Sequence, residues 1–149
     1  MKFVVSSTEL LSHLQSVSRV ISSKNTLPIL DNFLFSLEGN DLEITASDLE
    51  STLITKISLE NASESGKIAI PARILSDTLK EFSEQPLTFE INTDNFNVVI
   101  HSENGQFTIM GQNGEEFPQI PVIKEDQKFT LDVEPELLLN GLVKTIFAT

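Results

Sequence analysis

Apolar positions recur along the chain in a pattern that is written three times. Each copy opens on a lysine, runs through a short β-like alternation and a few start-signal residues, and then sets leucines at helical spacing. The first copy reads Lys2-Phe3-Val4-Val5, then Ser6 to Glu9, then Leu10, Leu11, Leu14 and Val17. The second reads Lys67-Ile68-Ala69-Ile70, then Pro71, then Ile74, Leu75, Leu79 and Phe82, and the third opens at Lys128-Phe129-Thr130-Leu131.

Ser6 and Glu9 stand three apart ahead of the first leucines, the spacing at which a serine oxygen and a glutamate carboxylate each satisfy an orphan N–H. Helix one is therefore predicted over 7–20. Pro71 and Pro135 suit the first turn of the second and third helices, where a missing N–H costs nothing, so helix two is predicted over 71–82. After each of the first two helices come three strand-like segments, 29–37, 42–46 and 52–59, then 87–91, 97–100 and 106–110. Glu38-Gly39-Asn40-Asp41 and Glu103-Asn104-Gly105 supply turn residues that tolerate positive φ, and Phe33, Phe35 and Leu37 alternate as in a half-buried antiparallel strand. Each unit reads β-α-β-β-β.

Two such units, 1–60 and 66–111 plus a tail, predict one α+β domain over 1–122, its paired helices packed on antiparallel sheets. The third copy, 128–149, supplies one strand and one helix. Nothing returns to cover its Leu137, Leu138, Leu142 and Ile146, so it is expected to be the truncated opening of a second, similar domain and the chain to be a fragment.

Composition narrows the setting. The chain has no cysteine, which removes disulfides, thiolate nucleophiles and Cys-based zinc sites and suits a reducing compartment. The opening apolar run is too short for a signal peptide and no stretch approaches spanning length, so the expected address is cytoplasmic with no membrane partner. Ten Lys and Arg stand against 22 Asp and Glu, a net charge of −12. Simple adhesion to phosphate or to an anionic membrane is thereby disfavoured, and any contact with DNA must be local or topological. No block of five like charges breaks the apolar pattern, and the most doubtful stretch for order is 60–66.

Four short motifs follow in order: Thr26-Leu27-Pro28-Ile29-Leu30, Ser47-Asp48-Leu49-Glu50, Ile70-Pro71-Ala72-Arg73 and Glu116-Phe117-Pro118. With the duplicated β-α-β-β-β unit and the ending Phe147-Ala148-Thr149, they make the whole chain resemble the front third of the bacterial sliding clamp, the β subunit of the replicative DNA polymerase. The resemblance implies the DNA clamp fold and a non-enzymatic processivity factor. It further implies three domains per subunit and two subunits in a head-to-tail homodimer ring around double-stranded DNA of any sequence. The polymerase and clamp loader would dock through a cleft between domains absent here, and no cofactor is implied.

On a helical wheel Leu75, Leu79 and Phe82 share one face of helix two, while Arg73 and Lys80 fall opposite with Asp77 between them. On helix one Ser12, Ser16 and Arg19 lie opposite the leucines. The resemblance maps Lys24, Arg73 and Lys80 onto basic positions of the family's inner surface, and these are the candidate DNA-binding residues. The competing reading of each is an ordinary cation that keeps a helix face solvated, the reading preferred for Arg19. In the last strand Phe107 and Ile109 share a face. They are candidate subunit-interface residues by resemblance, or core residues of the domain. A ring needs weak contact, since enclosure itself sets the local concentration of DNA, and a few cations over phosphates give salt-sensitive attraction that permits sliding.

Catalysis finds no convincing machinery here. His13 and His101 are the only histidines, and the phosphate-loop, zinc-protease and nucleophile-elbow motifs are absent, so no enzyme is expected. Asp48 with Glu50 could bind a divalent ion or close a turn. A different class, an acidic β-rich module that binds protein or carbohydrate, stays as the alternative, although the lack of Trp and Tyr weighs against sugar stacking. A carboxylate-dependent hydrolase using Asp48 or Glu50 ranks third.

Overall fold

The opening alternation forms strand β1 (Lys2–Ser6), with Phe3 and Val5 buried and Lys2 exposed. Ser6 ends it with an extended backbone and caps helix α1 (Ser7–Val17), its Oγ accepting from the Glu9 amide at 3.4 Å. Only this half of the expected capping box forms among the described residues. Instead, buried Ser7 anchors the helix start to the segment after the second helix: its amide donates to Gln85 O (2.9 Å), its hydroxyl donates to Ser83 O (2.8 Å) and accepts from Gln85 N (3.1 Å). A single 3-10 turn, Ser18–Val20, continues α1.

A computed structural model describes residues 1–22, 25, 27–119 and 129–148. Contacts divide the chain into Met1–Gln119 and Ile120–Thr149. In the first unit a 3-10 turn, Pro28–Asp31, precedes β2 (Asn32–Glu38), β3 (Asp41–Ser47) and β4 (Thr52–Ser58). Gly39 makes the β2–β3 turn at φ +60, a conformation that favours glycine. The stretch doubted for order carries a two-residue strand, β5 (Ala62–Ser63). Then follow β6 (Gly66–Pro71), α2 (Ala72–Lys80), β7 (Pro86–Asn92), β8 (Asn97–Ser102), β9 (Gly105–Met110) and the short β10 (Gln112–Asn113).

The two repeats do not build one sheet each. One sheet runs β5-β1-β7-β8-β9 and the other β10-β6-β2-β3-β4, so each repeat lends its opening strand to the other's three returning strands. β1 pairs antiparallel with β7 through Phe3↔Phe89, and β6 pairs with β2 through Ile68↔Phe35. Neither sheet is complete without both repeats. Both sheets and both helices then close over one core that includes Phe3, Phe33, Phe35, Phe89, Leu10, Leu14, Leu75 and Leu79. Phe3 sits at its centre, stacked on Phe89 with ring centroids 4.9 Å apart and 6.5 Å from Phe35 of the other sheet.

A smaller cluster of Leu30, Ala69 and Phe117 joins two of the sequence motifs. There the tail presses against β6: a Cβ added at Gly114 would lie 2.7 Å from the backbone of Lys67 and Ile68. Glycine is required for that approach.

Three expectations need correction. Pro71 is the last residue of β6 and precedes α2 instead of filling its first turn. Ile74, counted with the leucine stripe, is 54% exposed, because its wheel angle lies well away from that of Ala72, Leu75 and Leu79. In the second unit α3 (Pro135–Thr145) forms with Pro135 at its start, but the strand read at 128–131 is absent among its described residues, 129–131. An opening strand in this architecture borrows its partner from a neighbouring repeat, and the described part of 120–149 contains none. The leucines of α3 stand exposed.

Candidate nucleic-acid interface

The amphipathic pattern decides which side of α2 is available. Ala72, Leu75 and Leu79 are buried, and α2 packs beside α1, whose Leu10, Leu14 and Val17 are buried in the same core. The opposite face of α2 presents Arg73, Asp77 and Lys80 together. Lys80 Nζ lies 2.9 Å from Asp77 Oδ1, and Arg73 Nε lies 3.9 Å from Asp77 Oδ2. The Lys80 hydrogen bond and charge hold the Asp77 carboxyl below its ordinary value, slight burial opposes them and Arg73 adds a further pull downward. Arg73 is 95% exposed in its side chain, so its guanidinium is open to an external acceptor.

On α1, Ser12 and Ser16 are exposed, as is Arg19 in the 3-10 turn. His13 is taken up structurally: its Nδ1 is hydrogen-bonded to the Thr55 hydroxyl of β4. Lys24 lies outside the described residues. The structure brings Arg73 and Lys80 onto one surface.

The two candidates on β9 part company. Ile109 is buried in the domain core, whereas Phe107 is 44% exposed and meets Phe82 edge-to-face with ring centroids 5.2 Å apart. Among the described residues β9 has a strand partner on one side only, β8, so its outer edge carries backbone groups open to pairing. Sequence reasoning missed that Met110, on the opposite face of β9, is also exposed, and that Leu53 and Ile54 stand exposed on β4, an edge of the second sheet. The signal available for β4 was two adjacent apolar residues where a half-buried strand would alternate.

Asp48 closes a turn: its Oδ1 accepts from the amides of Glu50 (3.0 Å) and Ser51 (2.7 Å). Among the described residues no group of three or more His, Cys, Asp and Glu side chains could hold a metal ion.

Paired helices over a shared core, enclosed by two sheets that exchange their opening strands, define the α+β DNA clamp fold. Residues 1–121 match the family described as DNA polymerase III beta subunit, N-terminal domain. The chain belongs to that family. It is 30% identical to a beta sliding clamp of Pseudomonas putida over 148 residues, which cover 99% of this chain and 40% of the relative. Against a beta sliding clamp sequence of Vibrio harveyi it is 35% identical over 121 residues, covering 80% of this chain and 82% of that sequence. The crystal structure of the DNA polymerase III subunit beta from Pseudomonas aeruginosa superposes with a TM-score of 0.75 at 31% identity, over 82% of this chain and 32% of that one. A structure from Eubacterium rectale, described as a putative DNA polymerase III beta subunit, gives 0.77 at 30% identity, over 83% of this chain and 33% of that one. The chain thus spans 40% of the length of the Pseudomonas putida relative.

Proposed function

We propose that this chain is the front domain of a processivity clamp. Its full-length protein would close into a homodimeric ring around double-stranded DNA and tether the replicative polymerase without catalysing a reaction itself. The observation that carries this reading is the placement of Arg73 and Lys80 on the outward face of a helix packed beside α1, in a domain of this family. Contacts of that kind reach phosphates and carry no base readout, so they attract any duplex and allow it to move.

The helix 135–145 is then the opening of a second clamp domain. The polymerase and the clamp loader are received by domains beyond this segment. Phe107, at the edge of β9 against Phe82, is the β9 residue offered to a neighbouring subunit, while Ile109 is buried in the core. Among the described residues no helix is long and apolar enough to cross a membrane, and a cytoplasmic setting fits a partner of replicating DNA.

The test is joint replacement of Lys24, Arg73 and Lys80 by alanine in the full-length protein. Weaker low-salt association with duplex and a flatter salt dependence, with an unchanged melting temperature, are expected. Unaltered association and salt slope would remove these residues from the interface.

A further inference from the structure

Every described lysine of Met1–Gln119 has a carboxylate within 3.5 Å: Lys2 with Glu90, Lys56 with Glu43, Lys67 with Glu115 and Lys80 with Asp77. The last of these differs from the others because its carboxylate is shared with a second cation, one oxygen toward Lys80 and the other toward Arg73. We infer that Asp77 is an internal counter-ion of the duplex-facing surface, occupying Lys80 while no phosphate is near and competing with phosphate for it. This rests on the DNA reading proposed above and names the residue that sets the strength of that site.

A carboxylate and a phosphate offer an ammonium group the same kind of charged oxygen, and the 2.9 Å separation is that of a charge-assisted hydrogen bond. Both partners are about half exposed or more, so the pair breaks and re-forms readily in water. A duplex, which gains by releasing its condensed ions, can displace it. Asp77 therefore attenuates binding without blocking it. The two cations act as a local charge of +1 with Asp77 present and +2 without it. The geometry also divides the cations: Lys80 is held closely, while Arg73, 3.9 Å away and nearly fully exposed, is held loosely. Attenuation should fall mainly on Lys80. A surface built for sliding gains from such a brake, since tighter contact with each phosphate slows movement to the next.

The competing role for Asp77 is helix support, because acid-to-base pairs three and four residues apart stabilise an isolated turn. That role would change melting and leave the salt dependence of DNA binding where it was. The experiment is NMR titration of the 149-residue chain with a short duplex from low to physiological salt, for the parent, Asp77→Asn, Lys80→Ala and the double variant. Asp77→Asn should tighten association by about two- to fivefold and steepen the salt slope, and most of that gain should vanish when Lys80 is already alanine. Asp77→Glu, which keeps the charge, should bind like the parent. No gain from Asp77→Asn, or an equal gain with and without Lys80, overturns the inference. If joint alanine replacement of Arg73 and Lys80 weakens binding while Asp77→Asn leaves it unchanged, the DNA reading survives and only the role of Asp77 falls. If neither change alters association, the DNA reading itself fails for this face.

Discussion

Replacing Phe3 by alanine tests whether the exchange of opening strands is what holds the two repeats together. The Phe3 ring is 1% exposed, lies parallel to Phe89 of its own sheet at 7°, and sits 6.5 Å from Phe35 of the other sheet. Truncation leaves a cavity between the sheets and removes the stacked contact. Buried Phe-to-Ala changes cost about 3–5 kcal/mol, against about 5–15 kcal/mol for a whole domain, so at least a fifth of the stability should go. With a urea slope of roughly 2 kcal/mol per molar, the midpoint should fall by about 2 M. The chain has no Trp or Tyr, so unfolding is best followed by far-ultraviolet circular dichroism. Phe129→Ala serves as control, since Phe129 is 88% exposed and its loss should stay within about 0.5 kcal/mol. A Phe3→Ala loss below about 1 kcal/mol would refute the reasoning. So would a parent domain that melts in two separate steps, one for each sheet.

Gly114→Ala should cost about 1–3 kcal/mol, because the new Cβ meets the backbone of β6 at 2.7 Å, whereas Gly141→Ala, with nothing within 4 Å, should not destabilise the chain; denaturant midpoints for the pair check this. Glu90 is held below its ordinary value first by the hydrogen bond from Lys2 (2.7 Å) and then by that from His101 (3.1 Å). A depressed carboxylate adds stability above its unfolded-state pKa and loses it as pH falls through the folded one. The stability difference between the parent and Glu90→Gln should therefore be present at neutral pH and close in acid, and a difference independent of pH would contradict the ion-pair account.

Much of the fold is legible because each repeat carries local signals that agree with one another. The Ser6 cap, the leucine spacing of α1 and the alternation of Phe33, Phe35 and Leu37 all name the element and its buried face. Pairing is less legible. Period-two alternation says which side of a strand is covered but nothing about its neighbour, so the exchange of β1 and β6 between the sheets could not be read. The two-residue strands β5 and β10 are too short for any period. Ile74 misled because an apolar residue next to the stripe counts toward it by type while its angle turns it outward. For the candidate site, the wheel put Arg73, Asp77 and Lys80 on one face, and α2 sets them there. Phe107 and Ile109 looked alike by alternation. They differ in burial: Ile109 lies in the domain core, whereas Phe107 stands half-exposed against Phe82 at its margin.

The most direct measurement loads the full-length protein on a nicked circular plasmid, isolates the complex, and then cuts the circle once with a restriction enzyme. Enclosure predicts that the protein travels with the intact circle and is lost from the open-ended linear form. Protein that stays on linear DNA with free ends, to the same extent as on the circle, would contradict a ring held by topology.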